Sequence, residues 1–412
     1  MNKSWVLFSL FNFLIAAIMG LILRGAFVWE IGWMDYRNMM HGHSHVAMLG
    51  WIYLALYTLL GARFVPREDW GKPAYSRLFW FTQFTVFGMM VSFPMQGYGA
   101  VSITFSTLHI LASYVFAYRF WRDHRTAPEV SLLLKTALVL MVISTIGVWS
   151  LGPLTISGGR GSTLYQLAIQ FYLHFQFHGW FTFAVLSLVM DVLAQHRPMK
   201  TLTFKRFYYA LLGAVVLTYG LVLAWGYEGP IPLLINGGGL LLQVAALLLF
   251  FRMTAAGRGE LFRNMPPLSK LLYQFGLLSW IAKTAIQTIV LLPAAAAVAL
   301  ILRPLMVGFI HLTMLGFISG LLFALLYGYK QGLPEKGWAY VGVIAFMIGF
   351  VTTELLLFTQ GVFYWFQWGQ LPAYYEALFA ASVLLPLSIG FILVSMFKNY
   401  SLQATKPLIT TP

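Results

Sequence analysis

Three of the chain's nine histidines, His41, His43 and His45, fall within five residues, immediately ahead of the apolar run Val46-Ala47-Met48-Leu49-Gly50-Trp51. A neutral imidazole binds iron, copper or zinc through one ring nitrogen, while the other seeks a hydrogen-bond acceptor. Polar rings at membrane depth are costly and tend to be functional. In a helix His41 and His45 lie one turn apart on one face and His43 points away from them. One metal ion would therefore be held by His41 and His45 rather than by all three. His43 is open to either a metal or a packing role.

The same one-turn spacing recurs at His174 and His178, in His174-Phe175-Gln176-Phe177-His178-Gly179-Trp180, and single rings stand at His109 and His311. Two imidazoles from different helices at one depth, a porphyrin's width apart, would give six-coordinate haem. Two at i and i+4 on one helix favour a small ion such as copper. Both patterns are present, and the residues alone do not choose between them. A lone ring such as His109 also suits a hydrogen bond to a neighbouring helix. Lys283, an ammonium inside an apolar stretch, either snorkels, pairs with Glu354 or carries protons. Glu354 is the one carboxylate deep in such a stretch, and it is open to a neutral, hydrogen-bonded packing role or a functional one. His124 reads as a solvated loop residue, and His196 as part of a basic connection.

The elements that must carry these groups follow from composition. Hydrophobic residues make up 60% of the 412-residue chain and charged residues only 9%, against about 25% charged in a soluble domain. Apolar runs long enough to cross a bilayer recur from end to end. The expected fold is all-α, a polytopic transmembrane bundle of about twelve helices, near 5–27, 38–61, 77–95, 100–122, 131–152, 163–194, 206–226, 231–252, 270–292, 303–328, 337–360 and 375–398. Residues 1–412 then form a single transmembrane domain. The first run is too long for a signal-peptide core and lacks a cleavage pattern, so it reads as a retained helix. Asn38 is the expected N-cap of the second. With no cysteine in the chain, disulfides and thiolate sites are excluded.

The net charge of +14 is a topology signal. Most of the Lys and Arg fall at the two termini and in the even-numbered connections; Arg24, Arg37, Arg160, Arg303 and Lys283 lie elsewhere. The positive-inside rule then places both termini in the cytoplasm and the protein in the cell's cytoplasmic membrane, with lipid as its surroundings. Nucleic acid is not an expected partner. Spans two, four, six and ten start at the outer face. At a helical rise of about 1.5 Å per residue, His41 and His45 lie roughly 5–10 Å deep, His311 about 12 Å, His109 about 14 Å, His174 about 18 Å and His178 about 24 Å. Most of the membrane histidines thus share the outer half of the bilayer.

The histidine positions on spans two, six and ten resemble the haem–copper oxidase subunit I superfamily. Met40-His41-Gly42-His43-Ser44-His45 with Gly50-Trp51 and Gly61-Ala62-Arg63-Phe64-Val65-Pro66 is similar to the second helix of its nitric oxide reductase branch. With His311-Leu312-Thr313-Met314-Leu315-Gly316-Phe317 the stretch also resembles NnrS-type haem- and copper-containing membrane proteins. The resemblance implies that His41 or His45 clasps a low-spin haem, of b type, with His311, and that His174 belongs to a second metal site with His178 beside it. It also implies electron transfer with a redox partner protein, or nitric oxide handling. Two features depart from the pattern. Arg206 to Tyr227 contains none of the paired histidines expected on span seven, and span ten offers one histidine for two. A complete haem–copper centre cannot be assembled from matching positions, so one haem, with or without a nearby copper, is expected. The alternative, from a different class, is a copper or other transition-metal carrier or oxidase-assembly factor, its histidines relayed by Met48 and Met314. A third is an accessory subunit with vestigial histidines.

Overall fold

The computed structural model describes residues 2–195, 200–227, 229–255, 257–299, 301–328, 333–334 and 336–404; His196 lies outside them. Long helices dominate and no strand occurs among the described residues. Twelve rods follow in order: α1 Lys3–Gly25, α2 Tyr36–Phe64, α3 Pro73–Gln96, α4 Ala100–Asp123, α5 Pro128–Ile156, α6 Thr163–Ala194, α7 Thr201–Leu223, α8 Ile231–Thr254, α9 Pro267–Ile289, α10 Arg303–Gly328, α11 Trp338–Trp365 and α12 Tyr374–Ala404. Eleven of them are long and apolar enough to cross a membrane. The twelfth, α9, has spanning length at 23 residues. Its apolarity is diluted by Lys270, Gln274, Lys283 and Gln287, and it packs against α8 and α10.

Local chemistry sets the rod ends. Asn2 caps α1 by accepting from the Ser4 amide, and Ser162 caps α6 by accepting from that of Tyr165. The cap of α2 is Asp35, whose carboxylate accepts from the Asn38 amide at 2.7 Å. The expected cap, Asn38, is instead inside the first turn, because an anionic acceptor three residues earlier satisfies the free N–H groups better. Prolines open α3, α5 and α9, where no backbone donor is lost. Gly97 ends α3 at φ 58°, beyond the reach of most side-chain-bearing residues.

The rods differ sharply in burial. Of the apolar stretches, 83% of α2, 78% of α6 and 72% of α10 are buried, against 39–56% for the other eight candidate spans. Those three touch one another at the centre, and the outer rods surround them, with α12 packed against α1. The outward faces carry residues such as Phe84, Leu241, Leu248, Leu278 and Leu355, as lipid contact requires. The three histidine-bearing central rods are therefore the ones farthest from lipid.

A polar clasp fixes α1, α2 and α3 together. Asn12 donates to the Gly50 carbonyl at 3.0 Å and to Gln83 at 2.8 Å, and Gln83 donates back at 3.1 Å. All three groups are away from solvent, so removing one partner strands the others. Asn12→Ala is expected to cost about 1–3 kcal/mol of stability, whereas the double variant Asn12→Leu/Gln83→Leu costs less than Asn12→Ala alone. Thermal unfolding in detergent compares the two.

Candidate functional site

Each central rod is interrupted by a π-helical stretch that starts immediately after a histidine. The stretches are Val46–Tyr53 after His45, Phe175–Phe181 after His174, and Leu312–Ser319 after His311. Such i→i+5 turns are rare and cluster at functional sites. They also coincide with an internal sequence repeat, histidine, four residues, glycine, then Trp or Phe: His45/Gly50/Trp51, His174/Gly179/Trp180 and His311/Gly316/Phe317. The glycines are all at close rod contacts. A Cβ on Gly50 would fall 2.9 Å from Asn12 and Val86, on Gly179 2.9 Å from Leu140, and on Gly316 2.7 Å from Phe350 and Ser279. The aromatic rings that follow are fully buried. The Trp51 indole donates to Ser319 of the α10 stretch at 2.8 Å, which ties two repeats together.

Seven of the histidines divide into three neighbourhoods. The first joins α1, α2, α10, α11 and α12. His43 turns toward α1, where its Nδ1 lies 2.8 Å from the Ala16 carbonyl. A carbonyl only accepts, so Nδ1 carries the proton and Nε2 keeps its lone pair. Gly20 leaves space for this ring, since a Cβ there would lie 2.9 Å from its Cε1. Arg24 donates to Ser382 at 2.6 Å and reaches His311 Nδ1 at 3.4 Å. His43 and His311 are both within electrostatic reach of Arg24 and of each other. Glu354 lies 3.9 Å from His311 Nδ1, and neither of its buried carboxylate oxygens has a hydrogen-bond donor.

The second neighbourhood joins α2, α3, α4 and α6. His45 donates from Nδ1 to the His41 carbonyl at 2.9 Å, and its ring stacks on Phe93 at 4.1 Å. His41 packs edge-on to Tyr98. His109, 2% exposed, places Nδ1 3.1 Å from the Thr85 hydroxyl, while that hydroxyl donates to the Thr82 carbonyl at 2.7 Å. With its one proton committed, Thr85 accepts from His109 Nδ1, and His109 Nε2 is left as a buried lone pair with no protein partner.

The third lies between α6, α7, α9 and α10. His174 donates from Nε2 to the Val215 carbonyl at 2.7 Å, and its ring meets that of His178 at 4.9 Å. His178 Nδ1 is buried and unpartnered. Lys283, 4% exposed, donates to Gln287 at 2.7 Å and sits over the Phe309 ring, which His178 also touches.

The structure thus turns His43, the ring set apart from His41 and His45 by helical spacing, toward α1, the rod whose Arg24 also meets His311. The contacts of His41 and His45 are with Phe93 of α3 and with Tyr98 just beyond it, and His45 also lies near His109. Lys283 and Glu354 keep separate company, so of the alternatives for Lys283 the pairing with Glu354 does not form. His124 is not a solvated loop residue. It is 8% exposed and bonded through both nitrogens, to the Phe120 carbonyl and the Ser131 hydroxyl. Among the described residues no three His, Asp or Glu side chains converge as ligands for one metal ion. Arg24, which organises the first neighbourhood, carried no local motif that would have marked it. No family model and no curated protein matches the chain.

Proposed function

We propose that this chain is a haem-binding integral membrane protein serving one-electron transfer or the handling of a small ligand such as nitric oxide, with His43 and His311 as the two imidazoles that hold the iron. One observation carries the reading: rings from two central rods lie near Arg24 in a half-buried neighbourhood, and among the described residues neither ring's Nε2 has a hydrogen-bond partner. This takes His43 in place of the His41 or His45 that the resemblance implies. The His43 side of the site suits the group chemically. His43 already has the arrangement of a metal-binding histidine, Nδ1–H on a carbonyl and Nε2 free. A haem held there would supply one-electron redox chemistry and, in a chain without cysteine, would be bound without thioether links.

His311 has two competing neighbours. An Arg24 bond to Nδ1 uses its lone pair and leaves the ring proton on Nε2, a form unable to ligate through that atom. Turned to donate Nδ1–H to Glu354, the same ring frees Nε2. Glu354, with both oxygens unpartnered, is in this reading the positioning residue for His311. The membrane would be the cytoplasmic one, and a redox protein the partner.

A copper carrier is the second reading, favoured by the His174–His178 ring pair at 4.9 Å. Protein purified from haem- and copper-replete cells separates the two. An intense Soret band with about one haem per chain supports the first. A colourless protein with stoichiometric copper replaces it with the second. Neither pigment nor metal would leave an accessory role.

A further inference from the structure

Three neighbouring rings, centred on one of α2, each carry a buried polar atom without a protein partner. The Tyr53 ring meets the His109 ring of α4 at 5.0 Å and the Trp180 ring of α6 at 6.2 Å. Tyr53 Oη, His109 Nε2 and Trp180 Nε1 are each shielded from solvent and unbonded, and their residues are 2%, 2% and 0% exposed. A single such atom costs about 1–3 kcal/mol if it stays unsatisfied, so three on adjoining rings are a heavy burden for a stable bundle.

The chemistry of the three atoms is complementary. The indole N–H only donates. His109 Nε2 only accepts, because Thr85, committed to the Thr82 carbonyl, forces the ring proton onto Nδ1. The phenol can do both. A metal ion would be repelled by the indole N–H, and an anion would find no charge to meet it. We infer that Tyr53, His109 and Trp180 form a site for a small neutral molecule that accepts from the indole and donates to the imidazole, and that water fills it in the resting protein. Buried waters typically make about three hydrogen bonds to otherwise unsatisfied groups. The site lies on the wall of the π stretches of α2 and α6, between the His45 and His174 repeats. His109 is then a solvent-binding histidine rather than a metal ligand. The inference does not depend on haem.

Tyr53→Phe tests it by sign, because the substitution keeps the ring and removes only the hydroxyl. If the phenol bonds a bound water, its loss leaves that water short of a partner, and the melting temperature of the purified full chain falls by a few degrees. If the hydroxyl stands dry and unsatisfied, its removal relieves a penalty and the melting temperature rises, which overturns the inference; an unchanged value does the same. A density map fine enough to show ordered water is the second measurement. It should place one solvent peak within hydrogen-bonding distance of Tyr53 Oη, Trp180 Nε1 and His109 Nε2, and an empty contact there would refute the site even if the variant failed to fold.

Discussion

His311→Ala is expected to abolish the Soret band of the purified protein, and His43→Ala to do the same, while His174→Ala leaves most of it. The expectation follows from where the rings sit. His43 and His311 come from different central rods and share the Arg24 neighbourhood, so each would supply one ligand nitrogen, and no other imidazole among the described residues lies in it. His45 cannot easily replace His43, because its ring is held against Phe93 and its Nδ1 is bonded to the His41 carbonyl. The size of the effect is nearly total: haem content falls from about one per chain to a small fraction, since a two-imidazole site that loses one ligand leaves iron with an open position. Absorbance per protein, measured on detergent-purified variants of matched monodispersity, checks it. Retention of the band in His311→Ala would remove the haem assignment from α10.

The largest stability effect is expected at Gly147 on α5. A Cβ there would meet the Ala168 carbonyl oxygen at 2.3 Å and the Tyr172 amide nitrogen at 3.0 Å. Both are backbone atoms of α6, and no rotamer change moves them aside. Close approach through small residues is how membrane helices gain packing contact. Gly147→Val therefore forces α5 from α6 or bends one of them, at a cost at the upper end of the roughly 1–3 kcal/mol typical of overpacking. Because α6 carries His174 and His178, the third neighbourhood loosens with it. Yield and melting temperature in detergent report the change. By contrast, Gly152, which has open space around its Cβ position, should accept alanine with little effect.

Much of the architecture was legible before any coordinates. Apolar run length places the rods, and even α9, with two lysines and two glutamines, sits where its run predicts. Helix starts were less legible, as Asp35 displacing Asn38 shows, because a cap is chosen among several polar residues by local geometry. The candidate site was legible in part. Histidine positions mark the three central rods. It does not say which way each ring turns, and helical spacing alone grouped His41 with His45 and left out His43. What decides is the neighbour: Gly20 and the Ala16 carbonyl on α1 accommodate His43, and nothing in the second rod's own sequence announces them. Arg24 was invisible for the same reason, since its partners Ser382 and His311 lie hundreds of residues away. One signal was present and unread. The histidine–glycine–aromatic repeat at 45–51, 174–180 and 311–317 marks all three π stretches, and its spacing of five residues fits a π turn better than an α turn.

The account stands on imidazoles from two separate rods meeting on one iron. Electron paramagnetic resonance of the oxidised, purified protein tests this most directly. It predicts a low-spin ferric spectrum of the kind two axial imidazoles produce, lost when either His43 or His311 is replaced by alanine. A purely high-spin spectrum, or no haem iron signal from protein made in haem-replete cells, would contradict it.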